Sequence, residues 1–454
     1  MKRVGASFLA VVVLAMACTG SGGTERNRGQ QTPNFLVVIA DDQPQGTMSV
    51  MPKTMRWLAD GGVTFTHAFA TTPQCCPSRA TIYSGRYDHN TGVKTNDEAL
   101  KLNQHSTVQS YLHRQGYETA YFGKYLNPWP LRRRPPFFDR WAVIPKSPFG
   151  YYGGKWNVEG RVRQPRPYGT DFLARLSQRF LESVASGAKP WLLFIAPAAP
   201  HPPAVPERKY REAPVPRWDP NAAVREKDLS DKPPFVQSSD VQPAYGRDVR
   251  ARQLRTLMSV DDLMGRVHKT LQQTGQLSNT LVLYISDNGF LWGQHHRRAK
   301  AVPYTPSIQI PFFASWPGHL PEGAKDNRLV GNLDIAPTIM AAAGARPNPV
   351  YPMDGHSLLK KRFSRPEILT EYWHSSHYAS DVPSWASIRT VRYQYVEYRR
   401  KGRVIFREYY DLRRDPFQVL NLLANPSRKD DPRNLRELHR RLRRLRRCEG
   451  AACP

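Results

Sequence analysis

Cys75-Cys76-Pro77-Ser78-Arg79 combines a thiol, a proline and an arginine four residues after the thiol. Proline has no N–H to lose, so it suits the first position of a helix. Read that way, Cys75 lies just ahead of a helix N-terminus, where free N–H groups and the macrodipole favour an anion or a thiolate. Arg79 points back at the same spot. The chemistry this implies is a reactive group facing an anion; the plainer reading is a capped helix with two buried thiols. Oxygen donors come in pairs elsewhere. Asp41-Asp42 follows an apolar run at 35–40, and Asp287-Asn288 follows another at 280–285. Carboxylates mixed with an amide carbonyl suit a hard cation, calcium above all or else magnesium. Alone, an Asp-Asp pair is often a cap or turn, and Asp287-Asn288-Gly289 is also a hairpin signal. Both pairs at strand ends, with the Cys75 stretch beside them, favour the metal.

Those side chains need elements to aim them. Apolar runs at 35–40, 119–122, 191–195 and 280–285 predict buried strands, each ending where polar residues appear: Asp41-Asp42, Gly123-Lys124, Pro197 to His201, and Asp287-Asn288. Continuous apolar strands imply a sheet covered on both faces. Helical patterns at 54–60, 107–115, 170–185 and 254–274 lie between them, which predicts an α/β fold with a large, mostly parallel sheet flanked by helices. Ligands in such folds bind beyond the carboxyl ends of the strands, where these polar residues fall. Proline- and charge-rich stretches at 164–167 and 200–243 read as loops on the rim. The pattern changes after Met353. Strands at 367–370, 387–398 and 403–410, the last two joined by a turn at 399–402, predict an antiparallel sheet. A turn at 411–416 and a basic helix at 432–447 follow. The expected organisation is 33–349 as the catalytic domain and 350–454 as a smaller α+β domain.

The chain has 454 residues, a formal net charge of +28 and a pI near 10.1. Such a surplus draws polyanions, although arginines spread along the whole chain also fit compositional drift. Lys2 and Arg3 precede an apolar run at 8–16 that is too short to span a membrane as a mature helix. Residues 1–17 therefore read as a signal peptide and the protein as exported. Ala15-Met16-Ala17-Cys18 fits either a lipobox, with a lipid anchor at Cys18, or an ordinary signal-peptidase site, and the polar stretch 18–32 reads as a tether. Cys448 and Cys453 close a short tail loop and suit a disulfide in an oxidising compartment. Cys75 and Cys76 are adjacent, where a bridge is strained, and read as unbridged.

Cys-x-Pro-Ser-Arg followed by Gly85-Arg86 resembles the signature of type I sulfatases, in which the cysteine is oxidised to Cα-formylglycine. The resemblance runs from about residue 34 to 422. Asp41-Asp42 and Asp287-Asn288 resemble the family's metal pairs, and Gly123-Lys124-Tyr125-Leu126-Asn127 its lysine segment. The stretch 196–201 resembles the loop carrying its sulfate-contacting histidine, here His201, and 293–300 its Gly-Glu-His-Gly-x-x-x-Lys element, here with His295 and Lys300. The 411–422 stretch resembles its Asp-Leu-x-x-Asp-Pro segment. The implied fold is alkaline-phosphatase-like. The implied metal site is Asp41, Asp42, Asp287, Asn288 and the hydroxyl made from Cys75. The aldehyde hydrate attacks sulfur, the alcohol leaves, and the second hydroxyl collapses to expel sulfate. Arg79, Lys124 and Lys300 are expected to hold the hydrate and the sulfate, His201 to protonate the leaving oxygen with His295 nearby, and His89 to touch the hydrate.

Three positions depart from the family's commonest pattern: Leu126 replaces a histidine, His296 a glycine, and Thr305 a glutamate. Gly123 to Asn127, the doubled cysteine and the run from Asn332 to Thr338 resemble the N-acetylglucosamine-6-sulfatase branch, which implies a sulfated amino sugar or glycan as substrate. The implied partners are that substrate and a formylglycine-generating enzyme, with no specific nucleic-acid binding. A phosphate or phosphonate ester hydrolase of the same superfamily is the main rival. A non-catalytic envelope protein that binds polyanions is the other. The Arg-rich stretch 440–447 fits either a polyanion grip or a solvated amphipathic helix built on Leu442 and Leu445.

Overall fold

A computed structural model describes residues 1, 32–145, 150–360, 362–424 and 432–454. The predicted signal segment and Cys18 lie outside the described residues. No described helix is long and apolar enough to cross a membrane.

The strands are, in chain order, β1 (Asn34–Ala40), β2 (Val63–Phe69), β3 (Glu118–Lys124), β4 (Arg140–Ile144), β5 (Trp156–Val158), β6 (Arg161–Arg163), β7 (Trp191–Ala196) and β8 (Thr280–Ser286). They continue with β9 (Leu291–Trp292), β10 (Arg298–Ala299), β11 (Phe312–Ser315), β12 (Ala324–Gly331), β13 (Ile368–Tyr372), β14 (Ser384–Arg389), β15 (Tyr393–Arg400) and β16 (Arg403–Asp411). Ten of them form one sheet in the order β12-β2-β11-β8-β1-β7-β3-β4-β5-β6. The four strands expected from the apolar runs are its centre, β8-β1-β7-β3, all parallel. Antiparallel β11 interrupts the parallel order between β8 and β2.

Alternation along β1 shows why these runs are apolar on both faces. Phe35, Val37 and Ile39 enter one core cluster, and Leu36, Val38 and Ala40 the other. The first cluster is closed by the Cys75–Ser84 helix through Cys76, Ala80, Ile82 and Tyr83. The second is closed by the Gly169–Val184 and Pro243–Gln273 helices, through residues such as Leu173, Phe180, Leu257 and Met264. Each large side chain fully buried this way contributes roughly 1.5–3 kcal/mol.

Several expected boundaries move. The Pro243–Gln273 helix starts well before residue 254, reaching back to the end of the expected rim loop, because Pro243 sits at the tolerated first turn of a helix rather than breaking one. The strand expected at 387–398 is two strands, β14 and β15. Thr390 turns the chain between them: its Oγ1 accepts from the N–H groups of Arg392 and Tyr393 at 3.1 and 2.9 Å. β13-β14-β15-β16 form a separate antiparallel sheet. The terminal basic helix is shorter than expected, Leu435–Leu445, and its Leu438, Leu442 and Leu445 are buried against that sheet's cluster. Cys448 and Cys453 are joined as a disulfide, and Cys75 and Cys76 are free. Both sheets belong to one compact unit, Pro33–Pro454.

Candidate active site

Strand register assembles the oxygens. β1 and β8 pair residue for residue up to Ala40 opposite Ser286, so Asp41-Asp42 emerges beside Asp287-Asn288. The Asp42 N–H donates to Asp287 Oδ1 at 3.1 Å, and Asn288 Nδ2 donates to Asp42 Oδ1 at 2.7 Å. Asp42 reaches this geometry with φ at +66°, a conformation that a short polar side chain tolerates better than most. Asp41, Asp42, Asp287 and Asn288 are all buried.

The Cys75–Ser84 helix brings the thiol to this edge. Cys75 is itself the first helical residue and Pro77 lies two residues inside, still within the turn whose N–H groups have no helical partner. Gly85 ends the helix with φ at +68° and donates to the Thr81 carbonyl. Asn332 pins the helix from outside: its Nδ2 donates to Ser78 Oγ at 2.9 Å, and the Ser78 hydroxyl donates to the Asp287 carbonyl. Cys75 Sγ lies 3.6 Å from Asp41 Oδ1 and 3.8 Å from Asp42 Oδ1. Burial pushes its thiol up to about 12 despite Lys124 and Lys300, against the thiolate expected at a helix N-terminus. Removal from water outweighs the dipole here.

Three cations close the ring. Arg79, one helical turn from Cys75, ties three strand ends together. Its Nε donates to Asp287 Oδ2 at 2.8 Å and its Nη1 to the Lys124 carbonyl at 2.5 Å. Its Nη2 lies 3.7 Å from Asp41 Oδ1 and is buried without a hydrogen bond. Lys124, the last residue of β3, donates to both oxygens of Asp41 at 2.7 Å. Lys300 Nζ contacts Cys75 Sγ at 2.8 Å, Asn288 Oδ1 at 3.2 Å and Asp42 Oδ1. Burial opposes charge on Asp41, but Lys124, His201, Arg79 and Lys300 hold its carboxyl well below the usual carboxylate range. Asp287 moves the other way, because burial outweighs Arg79.

His201 completes the cluster from a partly open loop. Its Nε2 is 3.7 Å from Asp42 Oδ2, and its Nδ1 donates to the Pro202 carbonyl at 2.6 Å. Ligand atoms of Asp41, Asp42, Cys75 and His201 all lie within 4.8 Å of one another. Tyr151 and Gln253 hold this loop by donating to the His201 and Pro200 carbonyls.

His295 and His89 do not join the cluster. Burial lowers the pKa of His295 even against Glu226, to which its Nδ1 donates at 2.7 Å, and its Nε2 is buried without a partner. The His295 ring packs 4.0 Å from Tyr304. His89 donates to Glu371 at 2.6 Å and to the Cys448 carbonyl at 3.0 Å. Burial opposes its charge, but Glu371 raises its pKa. Sequence reasoning missed Ser78, Glu226 and Gln253. Glu226 lies in the stretch read as rim loop, where no periodicity marks it, and Ser78 was visible as part of the signature but not as the group that grips Asp287.

The segment around Lys300 is conformationally costly. His295, His296, Ala299 and Ala301 all have φ between +52° and +78°, each worth on the order of 1–3 kcal/mol. Glycine would adopt the His296 conformation freely; here the ring offsets part of the cost by donating from Nε2 to the Glu226 carbonyl at 2.8 Å. A cavity of about 640 Å³ opens over Lys300, lined also by His296, Arg298, Asp240, Tyr378 and Asp381. A larger one, about 710 Å³, between Lys53, Asp171 and Arg266, contains no member of the cluster.

The model of the sulfatase family matches residues 33–345, and a model described as N-sulphoglucosamine sulphohydrolase, C-terminal, matches 293–447. Human N-acetylglucosamine-6-sulfatase is 30% identical over 493 residues, covering 94% of this chain and 86% of the relative. An extracellular sulfatase SULF-1 homolog of Drosophila melanogaster is 33% identical over 377 residues, covering 76% of this chain; the chain spans 33% of that relative's length. A solved structure described as a complex with its substrate D-glucosamine-2-N,6-O-disulfate superposes with a TM-score of 0.80 at 21% identity, covering 92% of this chain and 98% of the other.

Proposed function

This chain belongs to the sulfatase family, and we propose that it is an exported hydrolase of sulfate esters whose substrate is a 6-O-sulfated amino sugar or a glycan that bears one. The observation that carries this reading is the convergence of Asp41, Asp42, Asp287, Asn288 and Cys75 with Arg79, Lys124, Lys300 and His201 where β8, β1 and β3 end. The relatives' printed names support the amino sugar and the export.

Asp41, Asp42, Asp287 and Asn288 would hold calcium or magnesium. Two observations fit this. The donor set is hard oxygen, and the Lys300 ammonium already stands where Asp42, Asn288 and Cys75 converge, as a cation would. When bound, the ion polarises sulfate oxygens and acidifies a neighbouring hydroxyl. Conversion of Cys75 to Cα-formylglycine, hydrated, supplies that hydroxyl in place of a thiol that burial leaves protonated. Arg79 Nη2, Lys124 and Lys300 hold the sulfate oxygens as negative charge grows on them. His201 gives a proton from Nε2 to the departing alcohol oxygen. With Nδ1 already donating to Pro202, a proton on Nε2 makes the ring an imidazolium, the form an acid needs. Leu126 is buried in the core, so the proton withdrawn during sulfate release goes to a group other than residue 126.

Side-by-side turnover of nitrophenyl sulfate, phosphate and phosphonate esters tests the reaction class. The sulfate is expected to be the best substrate by kcat/KM; a phosphonate preferred over sulfate would make the chain a hydrolase of the rival kind.

A further inference from the structure

The arginines that close the chain divide into two groups. Arg440 and Arg444 share Glu437 at 3.0 and 3.5 Å, and Arg441 pairs with Glu367. Arg443, Arg446 and Arg447 have no carboxylate within ion-pair distance among the described residues. Helical spacing puts Arg443 on the same face as His439, Arg446 and Arg447 follow in the turn that ends the helix, and the burial of Leu438, Leu442 and Leu445 fixes which way that face points. With Arg446, and with Arg399 from β15, they line a cavity of about 390 Å³ closed by Gly402 and Val404 of the β15–β16 hairpin.

The carboxylate of Glu397, bonded to two of the lining residues, is already engaged by His439 at 2.5 Å and by Arg399 at 3.1 Å, with Arg407 at 3.7 Å. Four guanidinium groups line the cavity, and no carboxylate does. Arg399 Nε is buried without a hydrogen-bond partner. Burial and the neighbouring Arg399 lower the pKa of Arg446 by more than Glu371 and Glu397 raise it. The ligand this arrangement lacks is an anion.

We propose that this cavity is a second, non-catalytic site that grips a sulfated unit of a glycan chain, resting on the reading of the substrate as a sulfated glycan. Its volume suits a saccharide-sized group, and guanidinium forks match sulfate oxygens two at a time. The lining has no phenyl, phenol or indole ring on which a nucleobase could stack. It also has no thiol and no carboxylate free to hold a metal, so a sulfate held here is not cleaved. A polymer anchored here by one sulfate presents its others to Cys75 at raised effective concentration.

The test compares the parent protein with Arg443→Ser/Arg447→Ser and Arg443→Lys/Arg447→Lys double variants, both at exposed positions. Binding of a heparin hexasaccharide is measured over a range of salt, beside turnover of nitrophenyl sulfate. The serine variant is expected to bind about ten-fold or more weakly, with the slope of log affinity against log salt reduced by about 2. The lysine variant, which keeps the charge but not the fork, is expected to fall between. Nitrophenyl sulfate turnover is expected to be the same in all three. Unchanged hexasaccharide binding in the serine variant overturns the proposal. So does equal binding and equal loss with a single-stranded oligonucleotide or phosphatidylserine vesicles. If no protein turns over the sulfate ester while hexasaccharide binding still falls in the serine variant, the catalytic reading fails and the anion site stands.

Discussion

Asp41 shows how much one residue carries. Both of its oxygens take hydrogen bonds from Lys124, and a second cation, Arg79, sits 3.7 Å away. Asp41→Asn removes the charge and keeps the shape. It is expected to abolish bound calcium or magnesium and to lower kcat at least about 10³-fold. It leaves Lys124 buried against a neutral amide, which costs roughly 3–5 kcal/mol, so the melting temperature should fall while the far-ultraviolet dichroism at room temperature stays native. His201 makes a different prediction. If it protonates the leaving oxygen, His201→Gln should slow an alkyl sulfate by about 10²–10⁴ and slow nitrophenyl sulfate, whose leaving group needs no acid, far less; equal slowing of both would remove that role. The paired acids, Cys75, Arg79 and Lys124 were legible in the sequence because each sits at the end of an apolar run or inside a spaced signature. Glu226 was not, because its importance is set by what the chain folds against, not by its neighbours in sequence. His295 and His89 looked alike on paper, yet burial gives each a carboxylate partner outside the cluster.

At the scale of elements, site geometry depends on strand register, and Gly123 is where register is least tolerant. Its φ is +122°, and a Cβ there would lie 1.9 Å from the Ala196 carbonyl oxygen of the neighbouring strand. Gly123→Ala should pry β3 from β7 just before Lys124. The expected result is a loss of several kcal/mol of stability together with a fall in kcat/KM of about 10² or more, since a displacement of 1 Å at the reacting centre has that effect. The central strands could be read in advance because burial on both faces forces continuous apolar runs. The small sheet was harder. A residue that bends the chain by bonding its own backbone, as Thr390 does between β14 and β15, carries no hydrophobic signature. Pro243 misled in the opposite direction, since proline opens a helix as readily as it ends one.

Across the whole molecule, burial creates a pH dependence away from the catalytic cluster. Glu408 is fully buried beneath the hydroxyls of Tyr304, Tyr398 and Tyr410, and burial pushes its carboxyl up to about 7 against those hydrogen bonds and Lys232. Between the usual 4.5 and about 7, the folded protein holds a proton that the unfolded chain has released. Stability from this group is therefore complete below 4.5 and is lost as pH rises through about 7, a change of roughly 3 kcal/mol. Melting temperatures taken from pH 5 to pH 8 should fall with this slope, and Glu408→Gln should flatten it; an unchanged slope would place the titration elsewhere. Burial also bears on maturation. Cys75 is 2% exposed in the folded chain, so an enzyme that oxidises it must reach it before the Cys75–Ser84 helix packs against the sheet. The most direct measurement is mass spectrometry of the peptide containing Cys75, taken from exported protein whose sulfate-ester turnover has been measured. The account predicts an aldehyde at that position in proportion to activity. Full turnover from protein whose Cys75 is an unmodified thiol would contradict it.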